Sequence, residues 1–126
     1  MAIYKTRWFE RWARKQDLSS LALCEAVWEM QAGLYEADLG GRLLKKRIAR
    51  PGHGKSGRYR TLVATNKGSK WFFVFGFPKN VRSNIDKGEE ESLKKLASHL
   101  LSLSPTALAA AERAGELMEV NCDAQE

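Results

Sequence analysis

The chain has 126 residues, enough for one ordinary domain with its own buried core and no need of a metal or disulfide staple. With 44% hydrophobic and 29% charged residues it has the composition of a soluble globular protein. No apolar run approaches the roughly 18 residues of a membrane span, and "MAIYKTRWFERWARK" carries no apolar export segment, so a cytoplasmic location with no membrane partner is expected. The net charge of +6 is segregated: residues 39 to 85 contain no Asp or Glu but twelve basic residues, whereas the rest holds nine basic and all fifteen acidic ones. A block of one sign on this scale gathers polyanions, of which nucleic acid is the principal source.

In chain order, "AIYKTRW" alternates as a short strand, after which Trp8, Phe9 and Trp12 fall on a helical face. Leu23, Ala26, Val27, Met30 and Leu34 form the apolar stripe of a second helix, which Gly33 ends. The glycine pair at 40 and 41 leads into a strand at about 43 to 48, closed by Pro51 and Gly52, and another strand lies at about 58 to 66. Past the turn "NKGS", the run "KWFFVFGF" is apolar on both alternating faces, which predicts a central strand covered above and below. Pro78 ends it. Asp86 with Glu89 predicts a capping box for a helix that buries Leu93, Leu96, Ala97 and Leu100, and Ser104 with Pro105 starts a shorter helix that Gly115 stops. "ELMEV" predicts an edge strand and "NCDAQE" a frayed tail.

These elements define an α+β class: a small antiparallel-rich sheet containing a three-strand meander, with helices packed on it. A single domain over residues 1–120 and a flexible tail at 121–126 are expected. The periodicities assign Trp8, Trp12, Trp28, Trp71, Phe72, Phe73, Phe75 and Phe77 to the core. Cys24 in a helical pattern and Cys122 in the polar tail match no metal-ligand spacing and read as a buried small apolar residue and an unpaired tail thiol.

The segment "ARPGHGKSGRYRTLV" poses the main chemical question. Gly54, Lys55 and Ser56 supply the end of a nucleotide-hydrolase phosphate loop, but Ala49 stands where its leading glycine belongs, and the residues after Gly57 alternate as a strand rather than opening a helix. Strand parity offers another owner for the cations. Arg58 and Arg60 share one strand face, and pairing through "NKGS" brings them beside Lys79 and Arg82 at the end of the next strand. The loop with His53 and Lys55 enters from the same end. Cations so crowded repel one another unless an anion relieves them.

The segments "ADLGGRLLKKRIARPGHGKSGRYRTLVA" and "FFVFGFPKNVRSNID" resemble those of RelE-type toxins of bacterial type II toxin–antitoxin modules, and most closely the RelE/HigB-like branch. The resemblance runs from "KTRWFERWARK" to a helix ending near Leu103. It implies a RelE-like, microbial-RNase-type fold and a ribosome-dependent mRNA endoribonuclease that uses neither metal nor other cofactor. It also implies a cognate antitoxin, of helix-turn-helix type in this branch. By position, Arg60 corresponds to the strand arginine at the scissile phosphate, and Lys79 and Arg82 to a cationic pair after the last core strand. Asn80 stands where a second catalytic arginine often lies, and Asp86 near the place of a catalytic tyrosine, so the resemblance leaves the acid and base unassigned.

Cleaving RNA without a metal requires activation of the 2′-hydroxyl, stabilisation of charge on a phosphorane-like transition state, and protonation of the departing 5′-oxygen. Arg60 and Arg82 suit the second task, because a guanidinium stays charged and grips phosphate bidentately. His53, Lys55 and Lys79 are the candidate proton carriers, and Lys45, Lys46, Arg47, Arg50 and Arg58 the candidates for a wider grip on nucleic acid. Two other functions use the same basic stripe: non-enzymatic inhibition of DNA gyrase in the manner of ParE, and plain nucleic-acid binding.

Overall fold

The computed structural model describes residues 1–49 and 58–123. Among them, in chain order, are β1 (Ala2–Thr6), α1 (Arg7–Lys15), α2 (Ser20–Gln31), β2 (Ala37–Asp38), β3 (Leu43–Ala49), β4 (Arg58–Thr65), β5 (Lys70–Pro78), α3 (Lys87–Leu101), α4 (Pro105–Arg113) and β6 (Leu117–Glu119). Local chemistry starts each helix. The side chains of Thr6, Ser19, Asp86 and Ser104 each accept a hydrogen bond from the backbone N–H three residues on, Glu89 completes the capping box at Asp86, and Pro105 opens α4.

The six strands lie in the order β2-β3-β4-β5-β1-β6. All neighbours are antiparallel except β1 and β5, which run parallel. The antiparallel-rich α+β expectation holds. The parallel pair and the two-residue β2 lie outside it, because a parallel partner is set by the path of α1 and α2 and leaves no local sequence signal.

Each sheet face is covered by its own helices. On one face Phe9, Ala13, Leu23, Cys24 and Val27 of α1 and α2 pack with Ile3, Leu44, Tyr59, Val63, Trp71 and Phe73. On the other, Ala97 and Leu100 of α3 pack with Tyr4, Leu43, Leu62, Ala64 and Phe72. The apolar run of β5 is therefore central, with neighbours on both edges and cover on both faces.

One irregularity has positional consequences. The β4–β5 register shifts between Leu62 and Val63, so Leu62 faces Phe75 while Val63 faces Phe73, and Val74 is the extra residue. The bulge reverses side-chain parity along β5. Phe73 packs on the α1–α2 face, whereas Phe77 packs on the α3 face, the one toward which β4 directs Arg60.

Two expectations are corrected. Trp8 and Trp28 are 45% and 46% exposed rather than core. Trp8 lies over Phe75, ring centroids 4.6 Å apart, so its helical spacing marks a half-covered face. The cysteines are not unpaired: Cys24 and Cys122 form a disulfide, their Cα atoms 5.8 Å apart across 98 residues of sequence. The chain returns there because Val120 N–H donates to the carbonyl of Ile3, laying the segment after β6 against the core that contains Cys24.

Candidate functional site

The site forms where β3 and β4 run past the end of their helical cover. Leu43 on β3 and Leu62 on β4 point into the α3 layer, and parity sends Lys45, Arg47, Arg58 and Arg60 to the same face. Arg47 and Arg60 are direct cross-strand partners, and Arg60 faces Phe77 on its other side. Two like charges directly opposite would weaken the pairing. Glu36, just before β2, resolves the conflict. Its backbone N–H donates to the carbonyl of Lys45 at 2.8 Å, its Oε2 accepts from Arg47 Nε at 3.0 Å and Arg47 Nη2 at 2.8 Å, and the same oxygen forms an ion pair with Arg60 Nη2 at 3.1 Å.

The segment between β5 and α3 closes the site from above. Lys79 N–H donates to the carbonyl of Arg58 at 3.1 Å, extending the β4–β5 pairing and bringing the exposed Lys79 beside the start of β4. Arg60 Nη1 donates to the carbonyl of Ser83. Arg82 Nε donates to the carbonyl of Asn84 at 3.0 Å, and its guanidinium carbon stands 5.3 Å from the centre of the Phe77 ring. Lys45 Nζ donates to Asn84 Oδ1 at 3.3 Å. Arg60 and Arg82 thus come together on one face, one as the strand partner of Phe77 and the other stacked on its ring, both tied to consecutive carbonyls.

Arg82 also pairs with Glu89 in the first turn of α3. The hydrogen bond from Arg82, with further help from the Asp86 backbone, holds the Glu89 carboxyl below its ordinary range, and the Glu89 hydrogen bond raises Arg82 in return. Asp86 serves α3 as its cap, accepting from Glu89 N–H at 2.8 Å.

The cations are therefore not relieved only by an external anion. Glu36 and Glu89 both lie outside the acid-free segment and fold back onto it. Glu36 has no sequence signature, since its partners are 11 and 24 residues away. Glu89 is legible as part of a capping box but not as the partner of Arg82.

Lys46 differs from the sequence expectation. It is 7% exposed on the opposite face, where Nζ pairs with Glu29 at 2.8 Å and donates to the carbonyl of Leu34 at 2.9 Å. The alternation that directs Lys45 and Arg47 into the site directs Lys46 away from it. Arg50, His53 and Lys55 lie outside the described residues.

Two buried polar atoms in the site, Arg60 Nε and Glu36 Oε1, have no hydrogen-bond partner among the described residues. A buried N–H without an acceptor is costly in a finished structure, and such atoms concentrate where function requires them. An oxyanion brought to this face would meet an arginine whose geometry is already set and whose donors are not all used.

Fold and site together define a small α+β domain that gathers guanidinium groups on one end of its sheet. The family model described as the RelE toxin of the RelE / RelB toxin–antitoxin system matches residues 1–120, and the chain belongs to that family, whose toxins pair with an antitoxin. No curated protein is similar enough in sequence to match.

Proposed function

We propose that the protein is the toxin of a toxin–antitoxin module and cuts mRNA on the ribosome, using cationic side chains and no metal. The observation that carries this reading is the gathering of Arg60 and Arg82 around Phe77 and the carbonyls of Ser83 and Asn84. In the proposed reaction the 2′-hydroxyl loses its proton and its oxygen attacks the adjacent phosphorus. The bond to the 5′-oxygen breaks, and that oxygen takes up a proton, leaving a 2′,3′-cyclic phosphate and a 5′-hydroxyl. Arg60 and Arg82 stabilise the charge on the non-bridging oxygens, usually the largest contribution in such chemistry. Lys79 is proposed, with His53 and Lys55, to carry protons, and Arg58, Lys45, Arg47 and Arg50 to hold flanking phosphates. The ribosome supplies the alignment of the RNA linkage, which a small open site does not provide alone. A cognate antitoxin of helix-turn-helix type is the proposed partner, and the cytoplasm the proposed location.

Primer extension on mRNA-programmed ribosomes tests the reading. Cuts within the decoding site, with cyclic phosphate ends, are expected from the wild-type chain and lost in Arg60→Ala while circular dichroism stays native. Intact mRNA together with inhibited DNA gyrase would replace the proposal by a ParE-like poison. RNA binding with neither effect would leave a plain binding module.

A further inference from the structure

Glu36 is an acidic residue inside a site whose proposed purpose is to hold phosphate, and a carboxylate there opposes the ligand. Its position explains the apparent conflict. Arg47 and Arg60 stand opposite each other on β3 and β4, and a single Glu36 oxygen accepts two N–H bonds from Arg47 and forms an ion pair with Arg60. Arg47 spends Nε and Nη2 on this carboxylate, which leaves the rest of its fork available on a side chain that is 41% exposed. Arg60, only 11% exposed, is held at Nη2 by Glu36 and at Nη1 by Ser83. Three separate segments thereby fix the plane of one guanidinium: β4 bears it, the residue before β2 grips one edge, and the β5–α3 connection grips the other.

We infer that Glu36 is a positioning residue for the arginine pair, clamping Arg47 and Arg60 as one rigid phosphate-facing unit. This rests on the nuclease reading above. A charge placed merely to balance the cations would act at any nearby point. Glu36 is hydrogen-bonded to Arg47 and ion-paired with Arg60 through the same oxygen, and its own backbone is anchored to Lys45 on β3. Removing its charge makes the face more positive, which favours binding of polyanions. It also releases two flexible side chains from a fixed geometry, which slows chemistry. Binding and turnover therefore move in opposite directions, a signature that neither a folding defect nor a general electrostatic role produces.

The test compares Glu36→Gln and Glu36→Ala with the wild-type chain. Binding is read with a 2′-O-methyl-substituted oligoribonucleotide that cannot be cut, and chemistry by single-turnover cleavage of mRNA on programmed ribosomes. Affinity is expected to stay equal or to rise a few-fold. Cleavage at saturation is expected to fall about 10- to 100-fold, in keeping with the penalty for a misplaced catalytic group. Cleavage by both variants within about twofold of wild type, or a joint loss of binding and cleavage in step with a lowered melting temperature, would overturn the inference. If the wild-type chain cuts nothing, the nuclease reading fails. Double-mutant cycles in oligonucleotide binding between Glu36→Gln and Arg47→Ala or Arg60→Ala then decide the role of Glu36, and additive effects of the paired substitutions would reject it.

Discussion

The guanidinium of Arg60 donates from Nη1 to the backbone carbonyl of Ser83, joining the second strand of the meander to the connection that leads into α3. The bond makes the orientation of Arg60 depend on planar, directed donors and not on charge alone. Arg60→Lys keeps the charge but not the fork, and an ammonium does not reproduce two directed contacts while meeting a phosphate. Its cleavage rate is expected to fall by roughly 10²-fold or more, the scale of losing one aimed donor to a developing oxyanion. Cleavage of programmed mRNA by Arg60→Lys at near wild-type rate would show that position 60 contributes charge only.

Residues on opposite faces of β3 and β4 are expected to separate stability from RNA binding. Lys46→Met removes a pairing with Glu29 and a bond to Leu34 on the face away from the site. Folding stability is expected to fall by about 1–3 kcal/mol, with the salt dependence of RNA binding unchanged. Arg58→Ala, on the site face, is expected to leave stability nearly intact and to reduce the salt slope by about one. Equilibrium denaturation and binding titrations between low and moderate salt measure both, and a reduced slope in Lys46→Met would place that lysine on the RNA.

Gly76 lies beneath the indole of Trp12, where an added Cβ would overlap the ring. Gly76→Ala must displace Trp12, which also meets Tyr59 edge-on at 5.3 Å. Overpacking of this kind costs about 1–3 kcal/mol, and the centrality of β5 places the result at the upper end or beyond. Thermal unfolding reads the effect directly, and an unchanged melting temperature would mean that Trp12 moves aside freely.

The pair between Arg82 and Glu89 links the site to acid stability. Because the Glu89 carboxyl is held below its ordinary value in the folded chain, the unfolded chain binds the proton more readily. The contribution of the pair is complete above the ordinary glutamate range, near about pH 4.3, and disappears as pH falls through the lower folded value. Glu89→Gln removes this dependence, so the difference in melting temperature between wild type and variant is expected to shrink as the solution is acidified below that range. A difference that stays constant with pH would show that the charge of Glu89 contributes nothing to stability.

Much of this architecture is legible in the residues because it is written locally. Ser104 before Pro105, Asp86 three residues before Glu89, and the unbroken apolar run of β5 each state their structure within a few positions. The meeting of Arg58 and Arg60 with the end of β5 comes from hairpin geometry alone. The effect of the bulge at Val74 is not local: it turns Phe77 toward Arg60 and so creates the surface on which Arg82 stacks. Glu36 is hidden for the same reason, as its role exists only after β2, β3 and β4 are assembled. Lys46 lies in a run of three cations that reads as one patch until strand parity divides it between the two faces.

The sulfur bridge between Cys24 and Cys122 closes a covalent ring around most of the fold. Tension applied at residues 1 and 123 therefore travels through two sulfur atoms and bypasses everything between them. Only the stretch that includes β1 and α1 is free to be drawn out, while most of α2, the three-strand meander and α3 with its arginine partner stay slack inside the loop. A machine that unthreads the chain from one end must either pass a doubled strand or wait for a reductant, so in the oxidised protein the cation-bearing strands are the part best shielded from mechanical unfolding.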